Sequence, residues 1–280
     1  NDLQASPHNV RYERHKDNLI NLKYFLFSNN IFIIPTYTEH LQKINYNESD
    51  AYYIYNQNSF NSINQNSLFV FNGSQDTSLE ENLYITNNKM TGVWTGISAN
   101  NFSSSSGAGN WNVSGNEIHS YSAGLCYRYQ TQNATSINFN NNRIFAESSA
   151  VNNNFGILLI SVKDSVHPVF TNNTVHGTDH GFGLFDVTFV NGINLGNSDT
   201  IRFTKKAGIL FTNELNFNPV DTINFLSGGP GGSSKLNISG VVILPNTGSG
   251  ITADAGGGTN TELNINSPTH IEGGTTGLQI

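Results

Sequence analysis

The sequence predicts an all-β solenoid in which the chain winds through stacked coils of about 25–32 residues, with Asn at the tight bends. A phrase recurs along the chain: an apolar strand, an Asn, an apolar residue two positions later, and then Gly followed by Ile, Leu or Phe. Copies of the phrase occupy 83–98, 111–126 and 137–159, and looser copies occupy 169–185, 193–211, 236–252 and 263–280. The apolar residue after the Gly gives the series Ile97, Leu125, Ile157, Leu184, Ile209, Ile251 and Leu278. Repetition at this spacing is typical of stacked units rather than of one globular core.

Within each copy, two or three short runs rich in Ile, Val, Phe and Leu are separated by Asn, Gly and Ser, which predicts short strands joined by turns. In 137–145 the apolar residues flank three consecutive Asn, which predicts strand, bend, strand. Asn suits the bend because it tolerates the left-handed conformation, and stacked Asn side chains can form a ladder. The predicted bend residues are Asn88, Asn116, Asn142 and Asn173, followed two positions later by the inward candidates Met90, Ile118, Ile144 and Val175.

This pattern resembles the right-handed parallel β-helix (pectate-lyase-like) superfamily, which includes pectate lyases, polygalacturonases, phage tailspikes and many adhesins. The resemblance covers 82–280 and implies three strands in each coil. Residues 21–81 read as degenerate coils with longer loops, and 1–20 as an end segment or linker, so the chain is expected to be a fragment of a longer protein. A left-handed hexapeptide helix, a propeller and a β-sandwich fit less well, because the chain lacks a six-residue period, its units are too short for blades, and a sandwich does not predict Asn at a fixed offset from Gly-Ile. The 42-residue step between Ile209 and Ile251 predicts an extra coil or a lateral loop around 226–234.

Composition excludes several classes of partner. The net charge is −7, and the basic residues near the start are interrupted by Glu13 and Asp17, so we expect no nucleic-acid partner. No apolar run is long enough to predict membrane insertion. Cys126 is the single cysteine and is expected to be a buried packing thiol. We expect no cofactor and no obligatory metal, because His119 and His176 share a column but a whole coil separates them.

A first candidate site is an outward column five or six positions after the bend Asn. Neighbouring coils lie about 4.8 Å apart, so such a column would form a continuous strip. Two aromatic rings followed by polar groups suit a sugar-binding track, and the alternative is a solvated face of unrelated side chains. The residues of this column are Trp94, Tyr121, Glu147, Asp179 and Lys205.

A second candidate site lies in 176–186 and the basic residues that follow. Paired carboxylates can hydrolyse a glycosidic bond, and a neighbouring Lys or Arg would favour lyase chemistry. Polygalacturonases resemble this segment in part, although here the residue before His180 is Asp rather than Gly, and the basic motif has one residue too many. The catalytic candidates are Asp179, Asp186, Glu147, Lys205, Arg202 and His180.

We therefore expect a non-catalytic β-helix segment of a secreted or cell-surface protein, acting as a spacer and as an adhesin-like, carbohydrate-binding module. The expected partners are a polysaccharide or cell-surface glycan and other parts of a larger surface assembly. The alternatives are a polysaccharide-degrading enzyme, either hydrolase or lyase, and the shaft of a phage tailspike.

Overall fold

The computed structural model describes the strands between 24 and 72 and then, with small gaps, the chain from 81 to 279. The described residues are 24–28, 31–34, 40–45, 51–56, 59–62, 67–72, 81–100, 110–130, 136–148, 150, 154–162, 168–185, 187, 193–196, 198–212, 234–254 and 261–279. Within these residues all regular secondary structure is β-strand. The segment 1–20, the Asp186 candidate and most of 226–234 lie outside them.

Nine strands form the first sheet, and they are hydrogen-bonded in chain order. They are β1 (Tyr24–Ser28), β4 (Ala51–Asn56), β7 (Glu81–Thr86), β9 (Asn110–Ser114), β11 (Ser136–Asn140), β14 (Pro168–Thr171), β17 (Ile193–Gly196), β20 (Ser234–Ser239) and β23 (Thr261–Asn266).

The second sheet contains the other sixteen strands, including two long strands that each replace two short ones. They are β2 (Ile31–Ile34), β3 (His40–Asn45), β5 (Ser59–Ser62), β6 (Ser67–Asn72), β8 (Lys89–Asn100), β10 (Glu117–Gln130), β12 (Arg143–Ala146), β13 (Phe155–Val162), β15 (Thr174–His176), β16 (His180–Phe185), β18 (Thr200–Arg202), β19 (Ala207–Thr212), β21 (Val242–Leu244), β22 (Ser249–Asp254), β24 (His270–Ile271) and β25 (Thr276–Gln279).

Every successive coil lays its strands parallel to those of the coil before, as in the pairs β11–β14, β12–β15 and β13–β16. The parallel β-helix predicted from the sequence is therefore confirmed. The β17–β20 and β19–β22 pairs join the coils on either side of the 42-residue step directly, so no extra coil lies between them.

One register assignment from the sequence is wrong. Ile157 pairs with Phe182, and Phe182 pairs with Ile209, so the residue that continues the Gly-apolar series in this coil is Phe182 rather than Leu184. Gly181-Phe182 and Gly183-Leu184 stand two residues apart, and side chains two apart in a strand share a face. The period-2 pattern alone cannot choose between them.

From Ile85 onward, where side chains are described, the interior of the solenoid is filled by aliphatic and aromatic side chains from the strands of successive coils. Met90, Ile118, Ile144 and Val175, all predicted to face inward, are 0% exposed. A second, smaller apolar cluster lies on the opposite face of β10, β13 and β16 and contains Ala123, Cys126, Phe155, Leu158, Ile160 and Phe185. Cys126 is thus a buried free thiol, as predicted.

The Gly of the recurring phrase is required by close packing between coils. A Cβ on Gly96 would lie 2.7 Å from Cγ2 of Ile118 in the next coil and 2.7 Å from the carbonyl oxygen of Gly124. A Cβ on Gly124 would lie 2.5 Å from Cγ2 of Ile144. Each Gly therefore leaves room for a branched side chain that lies over it from the next coil.

The bends are joined by a buried ladder of amide side chains, as the sequence predicts. The backbone N–H of Asn116 and its Nδ2 both donate to Oδ1 of Asn142, at 3.1 and 3.0 Å. The same Nδ2 donates to the carbonyl oxygen of Ile85 at 2.7 Å. The pattern repeats from Asn88 to Asn116, from Asn142 to Asn173 and from Asn173 to Asp199.

The left-handed backbone position belongs to the residue before each ladder Asn, which corrects the prediction that one Asn does both tasks. Asn87, Asn141 and Asn172 each have φ of 56°, and Gly115 has φ of 67°. The first residue of each pair turns the chain, so the second can direct its amide along the solenoid axis.

Asn142→Ala is expected to lower the free energy of unfolding by roughly 2–4 kcal/mol, because two buried donors of Asn116 lose their acceptor. Urea denaturation measures the change. Asn246→Ala, at an exposed position, is the matched control and should leave stability within about 0.5 kcal/mol. Equal effects of the two changes would show that the ladder does not stabilise the fold.

Gly96→Ala is expected to destabilise the protein by about 1–3 kcal/mol, because its Cβ would overlap Ile118 and a backbone carbonyl. Gly277→Ala is the control in the same row of the last coil, where a Cβ would meet nothing within 4 Å. Thermal unfolding of the two variants measures the difference. Gly96→Ala should lower the Tm and Gly277→Ala should not, because only the Cβ at 96 overlaps a neighbouring coil. Equal Tm values would show that close packing at Gly96 does not matter.

Candidate functional site

Three of the five residues of the predicted column lie together on neighbouring coils. Val93 pairs with Ser120 and Thr95 pairs with Ala123, so Trp94 lies opposite the bulge formed by Tyr121 and Ser122. The backbone N–H of Glu147 donates to the carbonyl oxygen of Ser120 at 2.9 Å, which places Glu147 beside Tyr121 in the following coil. Trp94 and Tyr121 are both partly exposed.

Trp94 and Tyr121 lie at a double irregularity in the pairing of β8 with β10. The register shifts between Ile118 and Ser120 and again between Ser120 and Ala123. Bulges of this kind bend a strand and redirect its side chains, and they are common beside binding sites. Among the rings whose side chains are described, neither Trp94 nor Tyr121 stacks on another.

Glu147 holds this irregular region in place. Its Oε1 accepts the backbone N–H of Gly92 at 2.9 Å, two coils away. Gly92 has φ of 66°, so its N–H turns out of the regular ladder and needs another acceptor. The Glu147 carboxylate therefore crosses the coil of Tyr121 and fixes the backbone two residues before Trp94.

Asp179 and Lys205 are brought together, but in a different register from Glu147. The backbone N–H of Asp179 donates to Oδ1 of Asn154, and the next residue, His180, pairs with Phe155. Lys205 follows opposite Asp179, because its N–H donates to the carbonyl oxygen of Thr178 at 3.1 Å. The predicted column thus separates into a group with Trp94, Tyr121 and Glu147 and a group with Asp179 and Lys205.

The Asp179 side chain is only 6% exposed and lies between two ammonium groups. Nζ of Lys206 is 3.2 Å from Oδ2, and Nζ of Lys205 is 3.8 Å from Oδ1. A substrate would have to displace one or both lysines to reach this carboxylate. The other predicted partner for paired-carboxylate chemistry, Asp186, lies outside the described residues, and Glu147 is engaged by Gly92.

His180 behaves as a buried aromatic ring rather than as an exposed acid or base. It stacks on Phe155 with ring centroids 4.9 Å apart, and neither ring nitrogen has a hydrogen-bond partner. The pKa of His180 is lowered to about 4, mainly by burial and also by the positive charge of Lys206, while the carboxylate of Asp179 opposes the shift. The imidazole is therefore neutral at physiological pH.

Sequence reasoning missed an outward ladder of contacting rings on β10, β12 and β15, of which only His119 and Phe145 are stacked face to face. His119, Phe145 and His176 share one register position, and their centroids are 4.8 and 5.7 Å apart. Phe203 completes the ladder 4.9 Å from His176. His119, Phe145 and His176 each stand three positions after a ladder Asn. From the sequence, we used this spacing only to relate the two histidines.

The same face carries a row of charges centred on Glu117. Its carboxylate contacts Lys89, His119 and Arg143, the first at 2.9 Å and the second at 3.2 Å. The hydrogen bond from Lys89 is the main cause that lowers the pKa of Glu117. Arg202, the remaining catalytic candidate, is exposed and pairs in register with His176, away from any described carboxylate contact.

Phe203 stands out in backbone conformation. It has φ of 57° at the position opposite Gly177, whose φ is 74°. Its side chain is 52% exposed. A bulky residue in the left-handed region costs about 1–2 kcal/mol, so this ring is held outward against its own backbone preference.

No group of three or more His, Cys, Asp or Glu side chains converges as a metal site within the part of the chain that the structure describes. The same part contains no helix long and apolar enough to cross a membrane.

Comparison with known proteins identifies no relative: no family model, no curated protein and no solved structure matches this chain. Function must therefore be argued from the surface itself.

Acid is expected to destabilise the fold through His180. The folded-state pKa of about 4 lies below the ordinary 6.5, so the unfolded chain binds the proton first as the pH falls. The stability that the fold gains from neutral His180 is fully present above pH 6.5 and is lost as the pH falls toward 4. The expected loss in the free energy of unfolding is about 2 kcal/mol between pH 7 and pH 5.

Urea denaturation at the two pH values measures this loss. His180→Phe keeps a ring against Phe155 and should flatten the pH dependence, whereas His270→Gln, at an exposed position, should not. An unchanged pH profile in His180→Phe would assign the acid sensitivity to other groups.

Proposed function

We propose that this chain is a non-catalytic β-helix segment of a secreted or cell-surface protein that binds a polysaccharide or cell-surface glycan at Trp94 and Tyr121. The observation that supports the proposal is that two partly exposed aromatic residues lie on adjacent coils at the double bulge. Aromatic rings offer a flat apolar face, and Trp and Tyr add a polar group at the ring edge, which suits a ligand with both apolar faces and hydroxyl groups.

The ring pair suits a glycan better than the neighbouring ladder does. His119 and Phe145 are stacked with an interplanar angle of 20°, so their faces cover one another and only their edges reach the surface. Trp94 and Tyr121 keep their faces free of other described rings. The parallel strands repeat about every 4.8 Å along the axis, so a linear polysaccharide lying along the solenoid would meet one coil after another.

Glu147 serves this surface as a positioning residue. Its bond to the N–H of Gly92 fixes the bulge that directs Trp94 outward. A carboxylate accepting a backbone N–H forms a charge-assisted hydrogen bond, which is stronger than one between neutral groups.

The arrangement around Asp179 favours a binding module over an enzyme. Its carboxylate is almost buried and is paired with two lysines. A hydrolase needs a proton donor and a second carboxylate that both reach the glycosidic oxygen or the anomeric carbon. Cleavage by a hydrolase or lyase is the alternative proposal, because Asp179, Lys205 and Lys206 bring a carboxylate and two ammonium groups together.

Trp94→Ala and Tyr121→Ala are each expected to weaken glycan binding about tenfold, equivalent to about 1.4 kcal/mol. A glycan array identifies the ligand, and calorimetric titration with that ligand measures the affinity. Tyr84→Ala is the matched control, since Tyr84 is also partly exposed but lies on the other sheet. Unchanged affinity in the double variant Trp94→Ala, Tyr121→Ala would overturn the proposed site.

The enzyme alternative is tested on the same polysaccharides by assays for new reducing ends and for unsaturated products. We expect no turnover by the unmodified chain. Turnover that disappears in Asp179→Asn would replace the binding proposal with a catalytic one.

A further inference from the structure

A strip of charged side chains runs along the outward face of the second sheet and the corner that follows it, from β8 to β18. The strip contains five of the chain's 13 bases and three of its 20 acids, so its formal charge is +2 in a chain of net charge −7. Its bases are Lys89, Arg143, Arg202, Lys205 and Lys206. Positive charge is therefore concentrated on one side of an acidic protein.

The acids of this strip are engaged by other groups of the protein. Glu117 and Asp179 each contact two bases, and their side chains are 21% and 6% exposed. Glu147 accepts the backbone N–H of Gly92. The bases that Glu117 and Asp179 contact have side chains that are 44–62% exposed. A ligand that approaches this face therefore meets mainly positive charge.

The positive charge is least compensated in the coil of β18. Arg202 is exposed, pairs in register with His176 and has no carboxylate partner among the described residues. The next residue, Phe203, is 52% exposed, and its ring lies 4.9 Å from that of His176. Two lysines follow at the same corner and share the single carboxylate of Asp179. This coil thus presents an aromatic ring beside three bases and one acid.

This coil and the Trp94 and Tyr121 surface lie on the same side of the solenoid. β10, β12, β15 and β18 are neighbours in the second sheet, so three coil steps, or about 14 Å along the axis, separate Tyr121 from Phe203. A linear polysaccharide that lies along the axis would therefore pass from Trp94 and Tyr121 to Arg202 and Phe203.

We propose that Arg202, Phe203, Lys205 and Lys206 form a second subsite, which binds acidic groups of the polysaccharide. The proposal rests on the proposed function, because it names the chemical class of the same ligand. The bases can donate charge-assisted hydrogen bonds to carboxylate or sulfate oxygens, and the Phe203 ring offers an apolar face to a sugar ring. Charge complementarity favours an acidic polysaccharide over a neutral one, since a neutral chain would form no ion pair with the three bases.

Binding of dextran, carboxymethyl dextran and dextran sulfate tests the proposal, because the three polymers share one backbone and differ in charge. In calorimetric titration, the unmodified chain is expected to bind one or both of the anionic polymers and not neutral dextran. The affinity should fall as salt is added, because salt screens exposed charges. The anionic polymer that binds more tightly identifies the recognised group as carboxylate or sulfate.

Arg202→Gln is expected to weaken binding of the anionic polymer about fivefold, the upper range for one exposed ion pair. Lys235→Gln is the matched control, since it removes the same charge from β20 of the first sheet and should change the affinity by less than about twofold. Phe203→Gly removes the ring and suits the left-handed backbone at this position, so it should weaken binding without lowering the Tm.

The double variant Trp94→Ala, Tyr121→Ala separates this subsite from the site proposed above. Weaker binding in Arg202→Gln and Phe203→Gly with unchanged binding in the double variant would support this subsite and overturn the other site. Weaker binding in the double variant alone would overturn this subsite and support the other site.

Four further results would overturn the proposal of an acidic polysaccharide. They are equal affinity for dextran and its charged forms, no binding of either anionic polymer, equal effects of Arg202→Gln and Lys235→Gln, and tighter binding of phosphatidylserine vesicles or of a short DNA duplex than of either anionic polymer.

Discussion

The buried amide ladder is the constraint on which the rest of this structure depends. Asn88, Asn116, Asn142 and Asn173 are each 2% exposed or less. The last three each accept at Oδ1 from the coil before and donate Nδ2 to the coil after, and Asn88 donates its Nδ2 to Asn116. A shift of one residue at any bend would leave buried donors without acceptors, at a cost of about 1–3 kcal/mol for each. The ladder ends at Asp199, because the next coil has the apolar Val241 opposite it. The bends thus fix the register of the strands that flank them.

Away from the bends, the alignment of outward residues between coils depends on where a coil contains extra residues between its strands. β8 and β10 run through the corner with only local bulges, so Trp94 and Tyr121 stay at the same corner of adjacent coils. In the next coil, residues 147–154 intervene between β12 and β13, and the register restarts at Asn154. Asp179 therefore aligns with Asn154 instead of Glu147. The lateral surface is a set of short local groups, each a few coils long.

The side of the solenoid and its interior are under different physical constraints. Trp94 and Tyr121 are partly exposed on the side, where packing between coils does not fix the choice of side chain. Inward residues such as Ile238 and Ile251 are fully buried, so their apolar character is fixed by packing between coils. A substitution on the side can therefore change the proposed binding surface without changing how the coils stack.

The sequence by itself determined the repeat, the parallel coil, the ladder Asn and an inward row of apolar residues, namely Met90, Ile118, Ile144 and Val175. These positions contact the equivalent positions of the adjacent coils, so each coil needs the same type of residue there. It also assigned Trp94 and Tyr121 to one corner of adjacent coils, which β8 and β10 both cross as continuous strands. It misassigned Leu184, because two Gly-apolar pairs two residues apart have the same period, and it missed the ring ladder. Only the tertiary structure decided that Glu147 bonds Gly92, that Asp179 is covered by two lysines and that His180 is buried. Those outcomes depend on contacts between coils that contain different numbers of residues. The repeat pattern does not show where the extra residues leave the coil, so it cannot predict which side chains meet.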